Sequence, residues 1–330
     1  MGADDGASPP WEEWTSSGGH PAARYLYARD ISGAAPDELE ALRAGVLDWE
    51  PLNRILGLQL VDGGFPSHGK QPTVASTLTA LRLMALCGMD LRDEPVSRAL
   101  SFVEQGYCAD GAISYRLGGS GILPCYVGLT TRALVTMGAL DSLAVRASLE
   151  WIVRHQRYDH RGGRAGGDEP WPYRSVVNYG CWQSVSCYHG VVATLGALTA
   201  VPEPDRTSGQ RARIGEAIAY LRPHRVYKRT TGDAPIFRTS TQFSLFHPYR
   251  PHLLDVLEWL ADAAPSLVGE PWVREAISDV EALTIGGRIP LVANGTTHLV
   301  DPLPLEPIGE PSRLLTLQWM RLRLRFGLAH

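Results

Sequence analysis

Residues 52–86 read LNRILGLQLVDGGFPSHGKQPTVASTLTALRLMAL and contain one copy of the unit from which the fold is predicted. An amphipathic run, 52–60, is followed by the turn 62–65 (DGGF) and then by a second apolar run, 73–86. In both runs the apolar residues are spaced three and four apart and Ala and Leu are common, which predicts helices rather than the alternating strands of a hairpin. The stretch therefore predicts a helix, a turn and a second helix.

The same pattern occurs four more times along the chain. The later copies consist of 96–104, 110–113 and 125–135; of 145–156, 159–163 and 187–198; of 214–221, 230–236 and 252–260; and of 272–283, 286–289 and 312–324. The turns recur about every 50 residues, with a longer interval before the fourth copy, where an insertion would sit. A repeat of that length built from two helices indicates an α-α repeat array.

The two helices of each predicted pair differ in composition. The second helix is more apolar and richer in small residues, and both 77–85 and 191–200 have almost no charge. A helix that is apolar nearly all round is buried on all sides, whereas the amphipathic first helices suit an outer ring. The sequence therefore predicts an all-α fold, a single α/α toroid of five to six helical hairpins around a central cavity. The toroid would span residues 20–330, after a disordered leader, 1–19.

Composition and charge exclude several classes of function. The chain has 330 residues, with 31 Lys+Arg against 35 Asp+Glu and a formal net charge of −4, so nucleic acid and anionic membrane surfaces are poor partners. No run approaches the roughly 18 consecutive apolar residues of a membrane span. Five cysteines and an acidic N-terminus indicate neither a disulfide framework nor a signal peptide. We expect a cytoplasmic globular protein, and the sequence leaves its oligomeric state open.

The repeats resemble the squalene/hopene cyclases and the β subunits of protein prenyltransferases. The matching segments are 59–65 (QLVDGGF), 110–112 (DGA), 125–128 (CYVG) and 187–190 (CYHG), and the Gln-x-x-Asp-Gly-Gly-aromatic turn is similar to the repeat signature of the cyclases. The resemblance covers about residues 45–325. It implies the toroid fold, together with an isoprenoid or similarly apolar small molecule as substrate.

The motifs that carry the chemistry of that superfamily are altered in this chain. The Asp-x-Asp-Asp motif, with which class II terpene cyclases protonate their substrate, does not occur, and the Asp-Asp-x-x-Asp motif of class I synthases is missing too. Segment 180–184 (GCWQS) resembles the surroundings of the zinc cysteine of prenyltransferases. However, Tyr179 stands where an acidic ligand is expected, and Val185 stands where the zinc histidine is expected. Neither mechanism carries over intact.

Cys125, Cys181, Cys187 and His189 form the candidate metal site. All four lie near the starts of predicted inner helices, and thiolates with an imidazole suit Zn²⁺. The spacing is not a standard zinc pattern, because Cys187 and His189 would point about 200° away from each other on a helix. Two alternatives stay open: packing as small buried hydrophobes, or a catalytic thiol with His189 or His247 as its base. The cofactor is thus either none or zinc.

Asp255, His247 and Tyr249 are the candidate catalytic residues. Asp255 lies within the fourth predicted inner helix, and an acid that faces a mostly apolar cavity suits proton donation. His247 and Tyr249 would lie at the end of the cavity and hold a polar group of the substrate. The alternative is that Asp255 caps its helix or pairs with Arg250 or Arg313 as structural support.

Basic and aromatic residues are the candidates for substrate contacts. Arg225 and Arg229, in the cluster 224–229 (HRVYKR), would bind a diphosphate or a carboxylate if they turn toward the cavity. Otherwise they complement the dipole of an outer helix. Arg132, inside an apolar inner helix, needs a partner such as Asp255 or an anionic ligand. The aromatic residues at inner-helix starts or faces would line the cavity or fill the core: Tyr126, Trp182, Tyr188 and Trp319.

These observations favour an enzyme that acts on an isoprenoid or similarly apolar substrate by proton-initiated cationic cyclisation or isomerisation. Asp255 or a neighbouring acid would be the proton donor. The first alternative is a zinc-dependent enzyme that transfers a prenyl or other alkyl group to a thiol through the Cys/His site. The second is a non-catalytic scaffold that binds a lipid or a peptide in the ring.

Overall fold

The chain folds as helices arranged in successive pairs. The computed structural model describes residues 10–68, 71–106, 108–109, 111–115, 122–158, 186–247, 249–293, 299 and 305–328. Within these ranges it has thirteen α-helices and only short strands, so the predicted all-α class is confirmed. None of the described helices has the length and apolarity of a membrane-spanning segment.

Five helical pairs make up most of the described chain. The first, outer members are α4 (Glu50–Leu56), α6 (Glu94–Gly106), α8 (Leu143–His155), α10 (Ser208–Leu221) and α12 (Pro271–Ala282). The second, inner members are α5 (Val74–Leu86), α7 (Pro124–Thr136), α9 (Tyr188–Ala200), α11 (Leu253–Ala263) and α13 (Arg313–Arg325). Each inner helix packs against the next one, from α5 to α13. Residues Tyr188 to Thr199 of α9 are all buried, as expected of a helix inside the ring.

The N-terminal part of the chain supplies a sixth inner position. It contains α1 (Pro10–Ser16), α2 (Pro21–Tyr27), a short π-helix (Ala28–Ser32) and α3 (Pro36–Leu47). Helix α2 packs against both α13 and α3, and the π-helix also contacts α13. The N-terminal segment thus lies beside the last inner helix, which gives the toroid five complete pairs and one shorter one.

The start of the chain differs from the sequence-based expectation. A disordered leader was expected over 1–19, but residues 10–16 form α1, which packs against α2 and α13. The physical reason lies in its tryptophans. The Arg288 and Arg313 guanidinium carbons lie 4.5 and 4.4 Å from the centre of the Trp14 ring, and such cation–π contacts hold this segment on the toroid.

The turn of the first pair explains the Gln-x-x-Asp-Gly-Gly pattern. Asp62 Oδ1 accepts the backbone N–H of Gly64 at 2.9 Å, and Gln59 Nε2 donates to the carbonyl of Gly63 at 3.0 Å. Gly63 has φ of +87°, and a Cβ there would lie 2.3 Å from the carbonyl oxygen of Arg98. Only glycine adopts this positive φ without strain and leaves room for the Arg98 carbonyl, so the motif serves the structure of the turn.

Two of the turns carry a short β-hairpin. Strand β1 (Phe65–Pro66) pairs antiparallel with β2 (Pro72–Thr73), and β3 (Cys108–Ala109) pairs with β4 (Ala112–Ile113). These strands sit between an outer and an inner helix and do not replace either of them. The tight turns that Asp-Gly favours therefore occur in the segments that connect an outer helix to an inner one.

Helices α7 and α9 make the closest helix contact of the ring. A Cβ at Gly128 of α7 would lie 2.3 Å from the carbonyl carbon of Ala193 in α9. Gly196, on the same helix, abuts the Trp259 ring, where a Cβ would come within 2.7 Å. Small residues on the inner helices thus let backbones and a large aromatic ring approach where side chains would otherwise separate them.

Candidate functional site

A cavity of about 420 Å³ lies within the ring of inner helices. Its wall is formed by α2 and the π-helix, by parts of α5, α7, α11 and α13, and by residues 244–247 and 250–252, which precede α11. A volume of this size lies within the range of small-molecule sites in proteins. The cavity is therefore the candidate functional site.

The cavity wall is much more charged than expected. Six arginines and three carboxylates line it: Arg29, Arg82, Arg132, Arg250, Arg321 and Arg325 with Asp30, Asp255 and Glu258. Leucines and alanines alternate with them along the inner helices. The cavity is thus more polar than the sequence suggests, because charged residues of otherwise apolar helices face the same interior space as the leucines and alanines.

Three of these arginines occupy equivalent places in the repeats. Arg82, Arg132 and Arg321 are each the ninth residue of their thirteen-residue inner helix. Gly196 holds the same place in α9, and Arg132 Nη1 donates to its carbonyl oxygen at 3.0 Å. The repeat therefore places the three arginines at a similar level of the cavity. In α9, where glycine stands at this place, the backbone carbonyl of Gly196 accepts a hydrogen bond from Arg132 of α7.

A network of ion pairs crosses one side of the cavity. Arg325 Nη1 lies 2.8 Å from Glu258 Oε1 and 2.9 Å from Asp262 Oδ1, and Arg132 Nη2 lies 3.1 Å from Asp262 Oδ2. Arg321 joins Glu258 to Asp30, at 3.4 and 2.9 Å. The partner of Arg132 is thus Asp262, with Glu258 at 3.9 Å, and not Asp255 as the sequence suggested.

These contacts set the charge of the two buried acids on α11. Burial alone would raise the pKa of Glu258, but the positive charges of Arg321, Arg325 and Arg132 outweigh it and hold that pKa below its usual value. Burial raises the pKa of Asp262, and its arginine partners only partly oppose this. The network is a mutually compensated structural element, in which each carboxylate has a cationic partner.

Asp255 lies on the cavity wall and also serves as a helix cap. It is the third residue of α11, where its Oδ2 accepts the backbone N–H of His252 at 3.0 Å in a capping box. Its Oδ1 accepts from Gln318 Nε2 at 2.9 Å, and the same amide nitrogen donates to Glu258 Oε2 at 3.0 Å. The capping role is thus present, while neither Arg250 nor Arg313 forms an ion pair with Asp255 among the described residues.

His247 lines the cavity as a neutral imidazole. Its Nδ1 accepts the backbone N–H groups of Tyr249 and Arg250 at 3.3 and 3.1 Å, so the ring proton resides on Nε2. Burial, followed by the charges of Arg250 and Arg82, lowers the pKa of His247 to about 4. At neutral pH this side chain therefore offers a hydrogen-bond donor.

Arg82 lies deep in the protein beside His247, although part of its side chain faces the cavity. Its Nη2 donates to the His247 carbonyl oxygen at 2.8 Å, and its guanidinium carbon lies 4.5 Å from the centre of the Phe246 ring. Burial lowers the pKa of Arg82 to about 10. The cation is thus held in a position where water stabilises it poorly.

The predicted aromatic contacts form a cluster near the N-terminal ends of α7 and α9. The ring centres of Tyr126 and Tyr249 lie 6.3 Å apart, and those of Tyr249 and His189 lie 6.5 Å apart. The Tyr188 hydroxyl donates to the carbonyl of Val226 at 2.8 Å. Burial raises the pKa of both Tyr126 and Tyr188. None of these side chains is part of the cavity lining.

The structure tests the candidate metal ligands only in part. Cys125 is buried in α7, Cys187 is the N-cap of α9, and His189 stacks on the Phe237 ring at 4.1 Å between ring centres. Burial lowers the pKa of His189 to about 3. Cys181 and Trp182 lie outside the described residues. In the described part of the chain no three His, Cys, Asp or Glu side chains are grouped as metal ligands.

The structure does not bring the other predicted contacts to the cavity. Arg225 Nη1 lies 2.8 Å from Asp233 and 3.3 Å from Glu275 of the outer helix α12, and Arg229 is exposed. Trp319 is only 2% exposed and packs in the core. Of the predicted substrate-binding residues within the described chain, only Arg132 lines the cavity.

A comparison with known protein families agrees with this architecture. Residues 39–171 match the family model described as the prenyltransferase alpha-alpha toroid domain. The matched segment is 133 of the 330 residues of the chain. The matched domain is the fold shared by squalene cyclases and protein prenyltransferase β subunits, so the resemblance seen in the repeats is confirmed. The comparison with curated proteins finds no match.

Several residues that line the toroid's cavity were missed by the sequence reasoning. They are Arg82, Arg321, Arg325, Glu258, Trp259, Phe246 and Gln318. Two signals could have found part of this set. Arginines recur at the same place of three inner helices, and the acids 255, 258 and 262 are spaced three and four apart, which places them on one face of α11.

Proposed function

We propose that the protein is a cyclase-like enzyme that binds an isoprenoid or similar substrate in the toroid's cavity and rearranges it by a proton-initiated cationic route. The observation that supports this most is the carboxyl group of Asp255 on the cavity wall, with its orientation fixed by Gln318 and by its own helix cap. A positioned acid beside an enclosed substrate is what such chemistry requires. The toroid fold adds an analogy to known cyclases.

The other wall residues would have distinct tasks in this reaction. Leucines of α5, α7 and α13 would hold the hydrocarbon part of the substrate. Guanidinium groups already lie near the two aromatic rings of the wall, Arg132 at 5.4 Å from Trp259 and Arg82 at 4.5 Å from Phe246. Once Asp255 has given its proton to the substrate, the developing positive charge would therefore be stabilised by the resulting Asp255 carboxylate and by Glu258 rather than by those rings.

The direct test is incubation with C15 and C20 polyprenyl diphosphates and the corresponding alcohols, followed by mass-spectrometric analysis for cyclic products. We expect a product from the native chain and a loss of about 100-fold or more in rate for Asp255→Asn. Asp205→Asn, at an exposed position that does not line the cavity, is the matched control and should retain activity. No product from any substrate, or a rate unaffected by Asp255→Asn, would refute the proposal.

A non-catalytic binding role is the second candidate function. It is favoured by one observation: each carboxylate on the cavity wall already accepts a hydrogen bond or an ion pair from a neighbouring side chain. A cavity wall whose carboxylates already have partners could bind a ligand without converting it. Binding of the same C15 and C20 probes without any conversion would support this role over the enzymatic one.

A further inference from the structure

We propose that His247 is an acid-sensitive hinge of the cavity wall: when its imidazole takes up a second proton, the turn from His247 to Arg250 opens away from α5. The inference concerns the free protein, so it needs no ligand and goes beyond the proposed function. It gives the toroid a local response to pH in the segment 244–252, which leads into α11.

His247 closes this turn as a hydrogen-bond acceptor. Its Nδ1 accepts the backbone N–H groups of both Tyr249 and Arg250, at 3.3 and 3.1 Å, so the single proton of the neutral ring resides on Nε2. A second proton would sit on Nδ1 and point at two N–H donors. The imidazolium form and the closed turn are therefore incompatible.

The ends of the segment are held by a different histidine. His252 Nε2 donates to the carbonyl of Ser244 at 3.0 Å, and His252 Nδ1 accepts the backbone N–H of Asp255 at 3.4 Å. The Asp255 carboxylate lies 3.5 Å from the same Nδ1 and would pair with a proton placed there. The donor at Nε2 is present in either protonation state, so the ends stay joined when the turn at His247 opens.

The surroundings of His247 provide no such compensation. Arg82 of α5 donates from Nη2 to the His247 carbonyl at 2.8 Å, and the Tyr249 ring stands edge-on to the imidazole, with 4.9 Å between the ring centres. The charged and titratable side chains that face it within the described chain include no carboxylate: Arg82, Arg250, His252, His189 and Tyr249. Burial, followed by the charges of Arg250, Arg82 and His252, lowers the pKa of His247 to about 4.

Opening of the turn therefore becomes easier as the pH falls. In an opened turn His247 meets water, and its pKa returns toward the ordinary value near 6.5. Between about 6.5 and about 4 the open form binds a proton that the closed form does not, so the equilibrium constant for opening rises by up to about tenfold per pH unit. At higher pH both forms are neutral, and the closed turn is unaffected.

The test is native-state hydrogen exchange, followed by mass spectrometry at pH 7.5 and 5.0 and corrected for the intrinsic exchange rate at each pH. For peptides that contain Tyr249 and Arg250 we expect the opening constant to rise by about tenfold or more between these two pH values. His247→Asn should abolish this rise, because its amide oxygen accepts the same N–H groups without taking up a proton. His68→Asn, at an exposed position, is the matched control and should retain it.

The amides of α9, which is buried inside the ring, distinguish opening of the turn from unfolding of the whole toroid. A larger rise in the turn than in α9, lost in His247→Asn and retained in His68→Asn, supports the proposal. An equal rise in α9 would show that acid unfolds the toroid rather than the turn, and would overturn it. An unchanged opening constant in the native chain, or the same rise in His247→Asn, would overturn it too. If His247→Asn does not fold, His247→Gln provides the amide acceptor on a longer side chain and is measured in its place.

Discussion

Arg321 Nη1 lies 2.9 Å from Asp30 Oδ2, although 291 positions separate the two residues in the sequence. The contact joins the last inner helix to the π-helix that follows α2, and it lies on the cavity wall. The positive charges of Arg29 and Arg321 overcome the effect of burial and lower the pKa of Asp30, so the pair is ionised at neutral pH. Closure of the toroid and the charge pattern of the cavity thus depend on the same two side chains.

Breaking this pair should destabilise the toroid. Asp30→Asn leaves Arg321 with less compensating charge in a mostly buried place, and we expect a loss of about 3 kcal/mol in the free energy of unfolding, measured in urea. The exposed pair of Arg92 and Glu40 provides the control, because Glu40→Gln should cost less than about 1 kcal/mol. Equal, small effects of both substitutions would show that the closing contact contributes little.

Gly128→Ala tests the close contact between α7 and α9. A methyl group there would lie 2.3 Å from a backbone carbon of α9, which cannot move without separating two helices, so we expect a loss of about 1–3 kcal/mol. Gly215→Ala, in the exposed part of α10, meets no atom within 4 Å and should instead stabilise the protein by about 0.5–1 kcal/mol. Thermal and urea unfolding of both variants will show whether the first is less stable and the second more stable than the native chain. A neutral Gly128→Ala would contradict the described packing.

Stability should fall as the pH drops below about 6.5. Burial lowers the pKa values of His20 and His247 to about 4 and that of His189 to about 3, whereas unfolded histidines titrate near 6.5. Between these values the unfolded chain binds protons that the folded chain does not. The free energy of the unfolded chain therefore falls relative to that of the folded chain, and the protein becomes less stable. The loss is about 1.4 kcal/mol for each pH unit by which the folded pKa of a fully buried histidine lies below its unfolded value.

Histidine variants are needed to test this pH dependence, because two buried acids act in the opposite direction. Burial raises the pKa of Glu306 and of Asp262, so the folded chain gains stability as these carboxylates take up protons. Urea unfolding at pH 7.5 and 5.0 should show a smaller difference for His20→Gln than for the native chain. His68→Gln, at an exposed position, should leave the difference unchanged. The same difference in all three proteins would contradict the proposed role of the buried histidine.

The sequence was sufficient to predict the fold because the information is repeated. Five copies of helix, turn and helix carry the same apolar spacing, and a turn such as Asp62-Gly63-Gly64 needs glycine for its backbone and aspartate for its hydrogen bond. The difference between outer and inner helices follows from composition, since a helix such as α9 has almost no polar face. These features are local, so they can be read without knowing which helices meet.

The site could be predicted only in part because it is assembled across the ring. Asp255 and His247 precede or begin one helix and were found from local chemistry, but Arg82 and Arg321 each look like a single charge in an apolar run. Whether such a charge faces the cavity or a neighbouring helix depends on the rotation of the helix in the ring, which the spacing of leucines does not fix. The basic cluster around Arg225 shows the converse: dense charge in the sequence proved to pair with an outer helix.

If the protein holds its substrate in the cavity between the inner helices, a large side chain placed in the cavity wall should block binding. Ala133 is 9% exposed and lines this cavity, so Ala133→Phe should fill part of it without disturbing the outer helices. Ala85→Phe is an independent second variant on the same wall, and Ala212→Phe, on the exposed face of α10, is the matched control.

The deciding measurement is binding of the C15 and C20 polyprenyl diphosphates and the corresponding alcohols to these three variants, each first shown to unfold at a temperature close to that of the native chain. We predict that both cavity variants lose binding by about tenfold or more, together with any turnover, while Ala212→Phe behaves like the native chain. Unchanged binding in both folded cavity variants would show that the ligand binds elsewhere on the toroid, and would rule out the cavity as its site.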